Sequence, residues 1–136
     1  MIWWVILCDV ILCDRFYDSS LAYQGYGRGI DLEFIDHANK FSSLGIKPDI
    51  TFYIDTPPLQ RLANLKLRRG LDSLDSDLSL QERVYQGFKQ IVLKEPERFR
   101  IIPFIKDGSE RMQTSIRSLV MDYISINNLE SRLKKI

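Results

Sequence analysis

Continuous runs of apolar residues, each about six long and bounded by Asp, Pro or Gly, predict three β-strands in this chain. The runs are VILC at 10–13, before Asp14, then ITFYID at 50–55 and FRIIPFI at 99–105. A continuous apolar run is typical of a strand that helices cover on both faces, whereas a half-exposed strand alternates. The pattern therefore indicates a parallel sheet flanked by helices.

The segments between these runs carry apolar residues at helical spacing. The first segment extends from Asp31 to Leu44 and is followed by Gly45, a residue suited to a left-handed helix cap. In the second segment, Thr56 is the expected N-cap and Pro57 the first helical residue. Both segments are therefore predicted to be helices that connect strands.

Two further helices are predicted from their first turns. Ser79 and Glu82 have the spacing of a capping box, and Pro96 is expected to end the helix that they open. Asp107 and Glu110 have the same spacing at the start of the last helix. The resulting order favours an α/β fold in which residues 1–136 form a single, partial domain.

The composition and the net charge of the chain argue against several classes of protein. The chain is 45% hydrophobic and 27% charged with a net charge of +1, which gives no indication of a nucleic-acid partner. Its apolar N-terminus lacks a basic flank and is interrupted by Asp9, so neither a signal peptide nor a membrane partner is expected. Cys8 and Cys13 are expected to be buried thiols in a reducing compartment, the cytoplasm or an organelle interior, and not in a secreted protein.

Most of the polar chemistry lies in the stretch DRFYDSSLAYQGYGRG, residues 14–29. Asp14 and Arg15 follow a predicted strand, the place where ligands bind in parallel sheets. The planar guanidinium of an arginine suits a phosphate, and the amide of Gln24 offers a donor and an acceptor to a base edge. From chemistry alone, the alternative is a polar loop with a structural ion pair between Arg15 and Asp18.

These residues resemble the signature of the thymidylate kinase family, in which an Asp-Arg-Phe or Asp-Arg-Tyr triplet precedes a Ser and an Ala-Tyr-Gln-Gly segment. The matching positions are 14–16, Ser19 and 22–25. Four more segments are similar to the family in the same order: PDITFYIDTPP at 48–58, RLANLKLRRG at 61–70, ERVYQGF at 82–88 and RFRIIPFIKDGS at 98–109. The resemblance implies a P-loop-kinase-like parallel sheet and the Mg²⁺-dependent reaction of dTMP with ATP to give dTDP and ADP.

The resemblance also implies a role for each matching residue in the dTMP site. Arg15 would contact the dTMP phosphate, and Asp14 would lie near the phosphates and the Mg²⁺ ion. Gln24 would read the thymine edge, while Ser19 and Tyr23 would line the sugar and phosphate side. No residue is assigned as a ligand of a protein-bound metal.

For the ATP side, the resemblance implies basic groups around the transferred phosphoryl, where electrostatic stabilisation is most of the catalytic task. These are Arg61, Arg68 and Arg69 in and before the lid, and Arg69 would be catalytic together with Arg15 and Asp14. Lys106 and Gly108 would belong to the loop that packs on the adenine. For each lid arginine, the alternative is a solvated position on a charged helix.

One family element is absent from these 136 residues: no G-x-x-x-x-G-K-[ST] phosphate loop occurs in them. We therefore expect an N-terminally truncated or degenerate family member whose sheet lacks its central strand. The neighbours of that strand would expose unpaired edges, which predicts an unstable chain, a homodimer or a larger oligomer. Two alternatives to catalysis are an inactive remnant that binds dTMP and a fragment without function.

Overall fold

A computed structural model describes residues 11–68, 77–106 and 108–127. The contacts within the chain define two compact units, the first from Arg15 to Pro103. The second unit combines Met1–Asp14 with Phe104–Ile136. The sheet belongs to the first unit, and the last helix belongs to the second.

The sheet of the first unit consists of β1, Thr51–Asp55, and β2, Phe99–Pro103. The two strands are parallel, with Thr51 opposite Phe99 and Asp55 opposite Pro103. Their carboxyl ends therefore meet at the same edge. Both strands were predicted from their apolar runs, although β2 ends two residues earlier than expected.

The third predicted strand, at 10–13, is not observed over its described part. Residues 11–13 have no regular secondary structure, and Val10 lies outside the described residues. A strand exists through hydrogen bonds to a neighbour, and the sheet formed by the described residues contains only β1 and β2. Cys13 is exposed, so the prediction that its thiol is buried was wrong. Cys8 lies outside the described residues.

The stretch after Asp14 is helical, although no helix was predicted there. Helix α1, Tyr17–Ser20, continues directly into a π-helix, Leu21–Gly27, which we name the π segment. Helix α2, Leu32–Ser42, follows it, and Asp31 caps α2 by accepting a hydrogen bond of 2.8 Å from the amide of Phe34. The predicted first helix is thus confirmed as α2.

Helix α3, Pro58–Arg68, begins one residue later than predicted. The carbonyl of Pro57 accepts the first helical hydrogen bonds, from the amides of Gln60 and Arg61, so Pro57 precedes the helix. Pro58 therefore occupies the first helical position, which a proline tolerates because that amide needs no helical partner.

Helix α4, Leu78–Lys94, is capped by Asp77 and not by the predicted capping box. The Asp77 carboxylate accepts a hydrogen bond of 3.0 Å from the amide of Leu80. Since this aspartate closes the first turn two residues earlier, Ser79 lies inside the helix, where its hydroxyl accepts a hydrogen bond from Arg83. Aspartate and serine are both good N-caps, so the sequence alone did not decide between them.

The helix boundaries around β2 agree more closely with the sequence. Helix α4 ends two residues before Pro96, as that proline predicts. Helix α5, Ser109–Ile126, belongs to the second unit and has Gly108 as its N-cap in place of the predicted Asp107, which lies outside the described residues. None of the described helices is long and apolar enough to cross a membrane.

The core of the first unit lies where α4 packs on the π segment and the sheet. Its buried members are Ala22, Leu80, Val84, Ile91, Val92 and Phe99. Two glycines permit this close approach. A Cβ on Gly27 would lie 2.8 Å from Cγ2 of Val84, and one on Gly87 would lie 2.5 Å from Cβ of Tyr26. Helix α4 is therefore the main support of the π segment.

Candidate functional site

The Ala-Tyr-Gln-Gly motif lies entirely within the π segment. Ala22 and Gly25 face the interior and are buried, whereas Tyr23 and Gln24 are half-buried. A π-helical turn widens the backbone spiral and occurs frequently at functional sites. The backbone carbonyl of Gln24 accepts a hydrogen bond of 3.0 Å from the amide of Ile30, which fixes the residue within the turn. The two predicted substrate residues thus share one helical element.

Arg15 adopts a left-handed backbone conformation with φ of 66° just before α1. For a residue with a Cβ this conformation costs about 1–2 kcal/mol. Such strain persists where the surroundings impose it, and it clusters at ligand sites. The side chain of Arg15 is exposed, and Ser19 follows in α1, half-buried, with its amide donating to the Phe16 carbonyl at 3.0 Å.

A hydrogen bond joins a predicted substrate residue to a predicted lid residue. Nη1 of Arg61, on α3, donates to the hydroxyl of Tyr23 at 2.7 Å. The structure therefore brings Tyr23 and Arg61 together across 38 residues of sequence. Arg68 is the last residue of α3, and its side chain lies outside the described part; Arg69 lies outside the described residues altogether.

Aromatic side chains connect Tyr23 to the sheet. The ring of Phe88, on α4, meets Tyr23 edge to face at 6.5 Å and stacks on Tyr53 of β1 at 5.6 Å. The Tyr53 hydroxyl donates to Oδ1 of Asp55 at 3.5 Å. Burial, with the negative charge of Asp55 adding to it, raises the pKa of Tyr53. Sequence reasoning missed Phe88 and Tyr53, which an apolar pattern assigns simply to the core.

The ion pair of Asp18 differs from the one considered in the sequence. Asp18 does not pair with Arg15; both of its carboxylate oxygens accept from Arg98, at 2.7 and 2.9 Å. The two residues are 6% and 7% exposed. Burial alone lowers the pKa of Arg98, but hydrogen bonds and the charges of Asp18 and Glu95 outweigh it and raise the pKa. Sequence spacing could not find this pair, because 80 residues separate its members.

The remaining predicted residues belong to the second unit. Asp14 and Lys106 are exposed, and Gly108 is buried, with its amide donating to the Ile105 carbonyl at 3.0 Å. A Cβ on Gly108 would lie 2.7 Å from Cβ of Ile105, so this tight turn requires glycine. A polar cavity lies at the turn, lined by Ile105, Lys106, Gly108, Ser109, Glu110 and Arg111. The loop predicted to pack on adenine thus forms a concave surface.

Comparisons with known proteins agree with the sequence motifs. The thymidylate kinase family model matches residues 7–116. A thymidylate kinase from Synechococcus sp. (strain JA-2-3B'a(2-13)) is 48% identical over 90 residues, 66% of this chain and 43% of that protein. The one from Exiguobacterium sp. (strain ATCC BAA-1283 / AT1b) is 38% identical over 115 residues, 84% of this chain and 52% of that protein.

A solved structure supports the fold. The crystal structure of thymidylate kinase from Ehrlichia chaffeensis superposes with a TM-score of 0.55 and 36% identity, covering 81% of this chain and 50% of that one. The α/β class and the incomplete parallel sheet are thereby confirmed. The chain spans about half the length of the curated relatives it matches. Because the family model, the ordered motifs and the fold all agree, this chain belongs to the thymidylate kinase family.

Proposed function

We propose that this chain binds dTMP and takes part in the transfer of a phosphoryl group from ATP to it, giving dTDP and ADP. The observation that carries the proposal is the single helical stretch that follows the strained Arg15 and presents Ser19, Tyr23 and Gln24. These side chains offer a cation, a hydroxyl pair and an amide. That set suits a phosphate, a sugar and a base edge in turn.

Arg15 binds the phosphate in this proposal. Its guanidinium makes paired charged hydrogen bonds, which are about twice as strong as neutral ones. The left-handed backbone of Arg15 supports this role, because strained non-glycine residues cluster at ligand sites.

Tyr23 and Gln24 hold the nucleoside. Arg61 donates a hydrogen bond to the Tyr23 hydroxyl, so the tyrosine side chain is already held in place before dTMP binds and need not be ordered on binding. Thymine presents an acceptor next to a donor, and cytosine presents the reverse order. A Gln24 amide that donates to the thymine acceptor and accepts from the neighbouring donor would therefore favour dTMP over dCMP.

The ATP side of the reaction rests on family membership. Lys106 and Gly108 would contact the adenine, and Arg61, Arg68 and Arg69 would surround the transferred phosphoryl group. Mg²⁺ keeps several waters and needs only one or two carboxylates beside the phosphates. Among the described residues no three His, Cys, Asp or Glu side chains cluster as metal ligands, but the exposed Asp14 carboxylate fits this modest need. The ion would neutralise phosphate charge.

The cysteine content indicates the compartment in which the chain works. The chain has only two cysteines, whereas small secreted domains that depend on disulfides carry more. We therefore place the chain in the cytoplasm or an organelle interior.

A turnover assay combined with calorimetry tests the proposal. With dTMP, ATP and Mg²⁺, formation of ADP that stops on removal of Mg²⁺ would support phosphoryl transfer by the chain itself. Heat of dTMP binding without turnover would support a binding function alone. No heat and no turnover would contradict both.

A further inference from the structure

Arg98 connects the amino ends of both strands to α1. It directly precedes β2, and its carbonyl accepts a hydrogen bond of 2.9 Å from the amide of Thr51, the first residue of β1. Its Nη1 also donates to Oγ1 of Thr51 at 2.8 Å, and its Nε donates to Oε2 of Glu95 at 2.9 Å. The guanidinium is thus fixed by the sheet and by the C-cap of α4 before it meets α1.

The buried face of α1 meets this fixed guanidinium. Asp18 lies in the first turn of α1 and receives both Nη groups, as described above. The ring of Tyr17 lies 5.7 Å from the guanidinium carbon, and the Tyr17 carbonyl accepts from Nδ2 of Asn39 on α2 at 3.4 Å. These contacts hold α1 from two sides, through Asp18 and through the Tyr17 carbonyl.

The residues proposed to bind dTMP lie next to α1, lie within it or follow it without interruption. Arg15 lies three residues before Asp18, and Ser19 directly follows it. Helix α1 continues without interruption into the π segment. The far end of the π segment is held separately, because Nε of Arg83 donates to the Gly27 carbonyl at 2.7 Å. Both ends of the stretch that carries Tyr23 and Gln24 are therefore held by hydrogen bonds to other elements.

We propose that Arg98, acting through Asp18, is a positioning residue that orients the segment from Arg15 to Gln24 for dTMP. This inference rests on the proposed function and adds to it a residue remote from the ligand. The two parallel hydrogen bonds of an arginine fix a carboxylate in a plane, which the single ammonium of a lysine cannot do. Because a buried ion pair contributes little net stability compared with apolar residues, we assign its effect to orientation.

Two conservative variants test the inference on the full chain. Arg98→Lys keeps the charge and loses the paired geometry, and Asp18→Asn keeps the shape and loses the charge. Ile102→Val, a core change in β2 at a residue that is 3% exposed, is the control for loss of stability alone. For each protein, dTMP affinity is measured by calorimetry at a temperature where it is fully folded, and amide hydrogen exchange is measured without ligand.

We expect both ion-pair variants to bind dTMP at least about 10-fold more weakly and to exchange faster at residues 17–27 than elsewhere. Ile102→Val should change neither property selectively. The inference is overturned if the variants lose only as much affinity and local protection as Ile102→Val. If the wild-type chain gives no heat with dTMP, the proposed function fails, and selective exchange at 17–27 still decides whether Arg98 orients the segment.

Discussion

Arg15 combines a backbone cost with the side chain best suited to a phosphate. We expect Arg15→Gly to raise the stability of the chain by about 1 kcal/mol, because glycine adopts positive φ without a steric penalty. The same change should weaken dTMP binding about 10-fold or more, since the charged hydrogen bonds are lost. Urea unfolding and calorimetry measure the two effects. A loss of stability, or an unchanged affinity, would contradict the assignment of Arg15.

Leu44 provides the matched control for Arg15→Gly. It also has positive φ, at 53°, and lies far along the chain from the proposed site residues. Leu44→Gly should therefore relieve strain in the same way and leave dTMP affinity unchanged.

Tyr53 should make the free energy of unfolding depend on pH in the alkaline range. Burial, with the charge of Asp55 adding to it, raises the pKa of Tyr53 above its ordinary value of 10.0, so the folded state keeps the phenol proton more tightly than the unfolded state. The stability that this proton supplies is complete below pH 10 and is lost as the pH rises further. The free energy of unfolding should fall more steeply above pH 10 in the wild-type chain than in Tyr53→Phe. Equal slopes would show that Tyr53 ionises normally.

At the residue scale, a sequence motif can single out candidate groups that lie close together in the chain, but it cannot single out contacts that only the fold assembles. Arg15, Ser19, Tyr23 and Gln24 lie within one continuous stretch, so a pattern could single them out. Arg98 acquires its role from an aspartate 80 residues away, and no local spacing signals that contact.

At the element scale, the packing of α4 on the π segment depends on glycines. In an exposed helix, Gly→Ala stabilises by about 1 kcal/mol. At Gly87 we expect the opposite, a destabilisation of about 1–3 kcal/mol, because the new methyl group would collide with Tyr26. Gln90→Ala, at an exposed position on the same helix, should be nearly neutral. Thermal unfolding of the two variants measures this difference, and a stabilised Gly87→Ala would disprove the close packing.

The elements that apolar periodicity marks were predicted well, and those that depend on tertiary contacts were not. β1, β2 and α2 were predicted within about two residues because apolar runs and caps define them locally. The π segment was missed, since its polar and aromatic residues form no local helical pattern. It is stabilised instead by Val84 and Arg83 of α4, and such support is invisible to a local pattern.

At the scale of the whole molecule, exposed apolar surface predicts association. Phe41 is 85% exposed and Phe34 66% exposed on α2, and in the described residues β1 is paired along one edge only. Large exposed apolar groups and open strand edges favour contacts between chains. We expect light scattering to give an average mass above the 15.9 kDa of one chain. A monodisperse, cooperatively melting monomer would contradict this expectation.

The central claim is that this member of the thymidylate kinase family retains a dTMP site in its own residues. Calorimetric titration of the full chain with dTMP and, separately, with dCMP tests that claim most directly. We predict measurable heat with dTMP and a weaker interaction with dCMP. Arg15 would bind the phosphate of either nucleotide, whereas the Gln24 amide would form its hydrogen bonds only with thymine. Equal binding of the two nucleotides would contradict the role of Gln24, and no binding of either would contradict the claim itself.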